Sequence, residues 1–200
     1  MKDIVKRYIQ GLEKAYRDNN LDEEWEEFVN VKEGATSENI AKIKEVFPEV
    51  PESLLELLEY VDGTYYRIYG DTKVCFYFLG SNLEEYPYYL LSSEEIVENR
   101  DLGKEWYSDF VDREYEMDGV PVDDRIIDDS SKMKWLHFSD CMNNGGTSQL
   151  FIDFTPSDSG KVGQVVMYVH DPDCLEVIAD SFDEYLEKLI AWEYDFIIEE

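Results

Sequence analysis

An α+β fold, with a single mostly antiparallel sheet and helices packed against it, is what this 200-residue chain predicts. Three observations carry the expectation. Apolar residues recur at three and four positions near both ends of the chain, the spacing that gathers side chains on one helical face. In between, short runs such as Trp135-Leu136-His137-Phe138, Leu150 to Phe154 and Gly163 to Tyr168 read as strands. Asn143-Asn144-Gly145-Gly146, Pro156 and Gly160 separate those runs, and glycine reaches positive φ without steric penalty, so the strands are joined by tight turns and form an antiparallel meander.

Ile4, Tyr8, Leu12 and Ala15, with Val5, Ile9 and Tyr16 beside them, predict an N-terminal helix that Asn19-Asn20 ends. The acidic stretch from Leu21 to Glu33 offers Trp25, Phe28 and Val29 as helical anchors. Residues 1–33 therefore read as a helical appendage and 34–200 as the main α+β domain, one globular unit in all. Thr36 suits an N-cap ahead of Ile40, Ile43 and Phe47, because its hydroxyl can accept from a free amide of the first turn. Pro48 stops that helix, Pro51 opens the next, and Asp62-Gly63 ends it.

Tyr65 to Tyr69 is a β-prone run, and Val74, Phe76 and Phe78 alternate as one buried face, so the sheet is expected to begin here with Cys75 as a small core residue. Ser92-Ser93-Glu94-Glu95 predicts a helix start, and Trp106, Tyr107, Phe110, Val111 and Tyr115 form a sparse apolar stripe with acid around it. Asp118-Gly119-Val120-Pro121 reads as a turn. Past the meander, Leu175 to Ile178 suggests one further strand. Ser181-Phe182-Asp183-Glu184 has the capping-box pattern, and Phe182, Tyr185, Leu186, Leu189 and Ile190 then share a helical face directed at the sheet.

The ordered set of Trp135, Gly145-Gly146, Asp153, Pro156 and the Gly160-x-x-Gly163-x-Val165 segment resembles the SMI1/KNR4 family, also called the SUKH superfamily. There a Trp-ended strand, a Gly-Gly turn, a strand closing on Asp and a Pro-containing loop recur together. Thr36 to Thr64 is similar to the family's opening pair of helices and Ser181 to Trp192 to its closing helix, whereas residues 94–129 are the part least like it. Many bacterial members are immunity proteins that bind and neutralise polymorphic toxins, often nucleases, and the fungal namesakes are regulators acting through protein contacts. The resemblance implies binding without catalysis or cofactor.

Charge points the same way. The chain holds 47 Asp and Glu against 18 Lys and Arg, a net charge of -29. Phosphate binding needs the opposite sign, which makes nucleic acid and anionic membranes poor direct partners and leaves a basic protein, a metal ion or simply water. Cys75, Cys141 and Cys174 are sparse, odd in number and without a C-x-x-C pair, which fits reduced thiols in the cytoplasm. The N-terminus lacks a signal peptide's apolar segment, and no window approaches the ~18 apolar residues of a membrane helix.

Catalytic motifs are missing: no G-x-S-x-G, H-E-x-x-H or Walker loop occurs, and only His137 and His170 could serve a triad. His137 lies on the strand face opposite Leu136 and Phe138, as an exposed or hydrogen-bonded structural residue, and His170 with Asp171 and Asp173 reads as a turn. Asp153 reads foremost as the cap of its own turn. Asp123-Asp124 and Asp128-Asp129 lack the ligand spacing of a calcium loop, so no metal is expected there. With 15 Tyr, 10 Phe and 4 Trp the aromatics exceed what these elements seat, and tyrosine favours interfaces. The expected partner surface is therefore Tyr65, Tyr66, Tyr88 and Tyr89 with Asp123, Asp124, Asp128 and Asp129, and the resemblance implies that it meets a basic toxin domain such as a nuclease. An intracellular scaffold with several partners is the alternative; a carboxylate-based hydrolase or metal-dependent enzyme ranks third.

Overall fold

The computed structural model describes residues 1–83, 86–115, 117, 119–141 and 148–197. Helices α1 (Asp3–Asp18) and α2 (Asp22–Val31) precede a second pair, α3 (Ser37–Val46) and α4 (Glu52–Tyr60). A hairpin of β1 (Tyr65–Tyr69) and β2 (Thr72–Cys75) follows, then β3 (Tyr88–Leu90), α5 (Ser93–Glu98) and α6 (Leu102–Val111). The meander of β4 (Trp135–Cys141), β5 (Gln149–Asp153), β6 (Gln164–Val169) and β7 (Cys174–Ala179) leads into α7 (Phe182–Ala191). Strands β3 to β7 form one sheet in chain order with every neighbour antiparallel, so the chain is α+β.

The sheet does not begin at Tyr65. Strands β1 and β2 form a separate two-stranded sheet, and the main one starts at β3. Tyrosine hydroxyls supply the reason: Tyr16 donates to the Tyr77 carbonyl (2.8 Å), Tyr8 to that of Phe78 and Tyr185 to that of Gly80 (2.6 Å). These buried carbonyls are satisfied by side chains of α1 and α7 in place of a neighbouring strand. Thr64 ties the hairpin to the main sheet: its amide donates to Leu90 O (2.8 Å) and its hydroxyl accepts from the Leu90 amide (3.0 Å).

Both faces of the main sheet are covered. Leu136, Phe138, Leu150, Ile152, Val165 and Met167 face the large core built with α1 to α5 and α7. Trp135, Phe151, Val166, Tyr168 and Val177 face a smaller core that Tyr107 and Val111 of α6 close. The two-residue period of a strand sends neighbours to opposite faces, and burial of both explains why β5 and β6 are apolar almost throughout.

Helices α1 and α2 share that large core. Phe76 stacks on Phe28 at a centroid distance of 3.9 Å and on Tyr16 at 4.4 Å, and Trp25 is buried beside them, while Val29 turns to solvent. Local signals read from the sequence place the helix starts. Thr36 Oγ1 accepts from the Asn39 amide, and Ser92 and Glu95 complete a reciprocal capping box. At Ser181 only half of the expected box forms: its hydroxyl accepts from the Glu184 amide, but the Glu184 carboxylate accepts from the Asp180 amide instead. Gly63 has φ +92°, and a Cβ there would lie 2.9 Å from that of Ser92, so the α4 to β1 turn needs glycine on both counts.

Candidate binding surfaces

The aromatic surplus goes mostly inward. Tyr8, Tyr16, Tyr69, Tyr88, Tyr89, Tyr107, Tyr168, Tyr185 and Tyr194 are all buried. Tyr88 and Tyr89, expected on a partner surface, are 0% and 1% exposed: β3 is covered on both faces, and the bridge from Leu79 to Tyr88 shields its outer edge. Cys75, expected inside, is exposed, because Val74 and Phe76 take the inward positions of an alternating strand; its thiol donates to the Tyr89 hydroxyl (3.6 Å).

Tyr65 and Tyr66 occupy a β-bulge, where two residues of β1 meet one register step of β2. Tyr65 is half-buried against the Tyr89 ring at 4.6 Å. Tyr66 sits at φ +48°, a conformation that costs a non-glycine residue about 1–2 kcal/mol, and the residue is 50% exposed with Lys73 Nζ 3.8 Å from its ring centroid. Bulges re-aim side chains, and here the bulge turns a tyrosine outward next to Ile68, which is also exposed.

The four aspartates divide into two roles. Asp123 is clamped by Arg125 and accepts from the Val177 amide (3.3 Å); against the raising effect of burial, these contacts hold its carboxyl down at about 2. Asp129 binds Lys132 (2.8 Å) and caps the 3-10 turn at Ser130–Lys132. Asp124 and Asp128 instead line an open groove of about 720 Å³, with Arg113, Pro156, Ser157 and Asp158 among its walls. Their loop is tied to the β7 edge, where the Asp123 amide donates to Leu175 O and the Leu175 amide to Pro121 O. The tyrosine hairpin hangs from the β3 edge. The predicted residues thus lie at opposite edges of the sheet and form no single patch.

A further surface, on α6, bears Trp106 at 62% exposure and, just beyond the helix, Tyr115 at 37%. The signal for it was the tryptophan in the sparse, acid-flanked apolar stripe from Trp106 to Tyr115.

Both histidines lie against neighbouring carboxylates. His137 is 1% exposed, with Nε2 2.9 Å from Asp140 Oδ1 and Nδ1 3.2 Å from the Asn99 amide nitrogen. Gln149 donates to the same Asp140 oxygen (2.8 Å) and accepts from the Tyr107 hydroxyl, so the chain of contacts pins α5 and α6 to the sheet. His170 Nδ1 lies 2.8 Å from Asp173 Oδ1 at the β6 to β7 turn. Among the described residues no three His, Cys, Asp or Glu side chains are grouped as a metal site would require, and no helix is long and apolar enough to cross a membrane.

Asp153 performs the turn-capping role expected of it. Fully buried, it accepts from the Thr155 amide (2.7 Å) and the Gln164 side chain (3.0 Å), and burial pushes its carboxyl up to about 6. Trp135, its cross-strand partner, is buried, and Gly163, at φ +88°, donates its amide to Asp153 O (2.7 Å). Gly145 and Gly146 lie outside the described residues. Asp153, Trp135 and Gly163 organise the turn beside the groove, and Pro156 and the loop serines are part of its lining. The sequence model of one family, described as the SMI1 / KNR4 family (SUKH-1), matches residues 34–188, which is α3 through most of α7. No curated protein matches the chain.

Proposed function

The chain belongs to the SMI1/KNR4 family (SUKH-1), and on that premise we propose that it is a non-enzymatic binding module of immunity type, which neutralises a basic toxin domain such as a nuclease by covering its working surface. The observation that carries the reading is the net charge of -29 on a surface that also displays Tyr66, Ile68, Trp106 and Tyr115. Charge alone serves solubility. Exposed aromatics set among carboxylates add what a protein interface needs: rings that bury area with few rotors to freeze, and counter-charges for a cationic partner. Long-range attraction accelerates encounter, and ring burial sets the lifetime of the complex. The setting is the cytoplasm, where a toxin must be held before it acts.

The test is genetic and direct. A basic toxin domain encoded beside this chain should arrest growth when expressed alone, and co-expression of this chain should restore growth and yield a stable complex. Growth arrest that co-expression leaves unchanged would refute the reading.

A further inference from the structure

Helix α6 carries more apolar surface than the sheet covers. At about 100° per residue, Gly103, Tyr107 and Val111 point toward the sheet and are buried. One flank meets the 3-10 turn at 130–132: Lys104 Nζ reaches Ser131 O (3.4 Å), and Asp112 accepts from the Ser130 amide (2.7 Å). The other flank holds Leu102, Trp106 and Phe110. Phe110 packs on Tyr168 at 5.6 Å and on Tyr115 at 5.0 Å, whereas Trp106, one turn earlier, stands in solvent. Trp25 and Trp135 are only 3% and 2% exposed and Trp192 is half-buried, so Trp106 is the one tryptophan of the four that the fold leaves open.

Glu105 and Asp109 border Trp106 on the solvent side of the helix. Among the described residues neither is paired with a basic group, although Arg17 engages Glu13, Asp22 and Glu26, and Arg7 engages Glu187. The flank thus combines an open indole face, a firm aromatic base behind it, and uncompensated negative charge. An arginine fits that combination. Its planar, weakly hydrated guanidinium stacks on an indole while donating to carboxylates at its edge, which the compact, strongly hydrated lysine ammonium does less well.

We propose that the Trp106 flank of α6 is the docking surface for the basic partner, with the indole as platform for an arginine side chain and Glu105 and Asp109 as its counter-charges. This rests on the protein-binding reading above and adds to it the face and the preferred cation.

Arginine and lysine homopeptides of equal length serve as probes, titrated into the full-length chain at physiological salt by calorimetry and by acrylamide quenching of tryptophan fluorescence. The arginine peptide should bind about tenfold more tightly than the lysine peptide, in keeping with a stacked cation, and should shield Trp106 from quencher. Trp106→Ala should abolish that preference while leaving the lysine peptide's affinity within about twofold, and Trp106→Phe should keep part of the preference. Because Trp106 is solvent-facing, both variants should melt with the wild type. An arginine preference that survives Trp106→Ala overturns the assigned face and leaves the basic-partner reading standing. Failure of both peptides to bind the wild type overturns the two together.

Discussion

Replacing Asp153 by asparagine should change how stability depends on pH, in a direction fixed by burial. The native carboxyl is fully enclosed and titrates near about 6, against 3.8 for an ordinary aspartate. Between those values the folded chain holds a proton that the unfolded chain has already lost. The contribution of this group to stability is thus fully present below about pH 4 and is lost as pH rises through about 6. The gap between about 6 and 3.8, at 1.36 kcal/mol per tenfold change, gives a loss of about 3 kcal/mol. Asparagine retains an acceptor for the Thr155 amide but has no proton to lose. Urea unfolding of both proteins at steps from pH 4 to 8 should show Asp153→Asn gaining on the wild type by up to about 3 kcal/mol, chiefly between pH 4 and 6.5. The many other carboxylates titrate in both proteins and cancel in the difference. Parallel stability curves, or a wild type that gains on the variant as pH rises, would refute the burial argument.

Phe76→Ala removes the ring on which Tyr16 and Phe28 stack, and should cost about 3–5 kcal/mol in chemical denaturation. Tyr185→Phe leaves the buried Gly80 carbonyl without its donor at a site with no exposure, and should lower stability by about 1–3 kcal/mol with no change in circular dichroism. Ser92→Ala removes the hydroxyl that caps the Glu95 amide and leaves the backbone N–H of residue 92 to the Glu95 carboxylate, with an expected loss of about 1 kcal/mol in the same assay.

Features set by near neighbours in sequence were legible before the fold was known. Thr36 and Ser92 start their helices through hydroxyls three residues from the amides they cap, and the alternation of Leu136, His137 and Phe138 assigns each to its face of β4. What escaped depends on partners far along the chain. Nothing local to Tyr77, Phe78 and Gly80 reveals that hydroxyls of Tyr16, Tyr8 and Tyr185 will take their carbonyls and divide the strands into two sheets. The same long-range contacts misdirected the surface assignment. Tyr88 and Tyr89 resemble Tyr65 and Tyr66 in composition, but a short strand covered on both sides buries the first pair, and a bulge turns Tyr66 outward. Asp123 and Asp124 are adjacent, yet only one is within reach of Arg125 and the β7 amides. Trp106 was visible as part of an apolar stripe, but its exposure follows from how little of α6 one sheet face can cover.

Under the proposed function, surplus negative charge steers this chain onto a positively charged protein. Stopped-flow association of the purified chain with its basic toxin domain, followed across a series of salt concentrations, tests it most directly. Association should slow by at least about tenfold from low to high salt while dissociation changes by less than about threefold. An association rate insensitive to salt, or one that rises with it, would rule out charge steering.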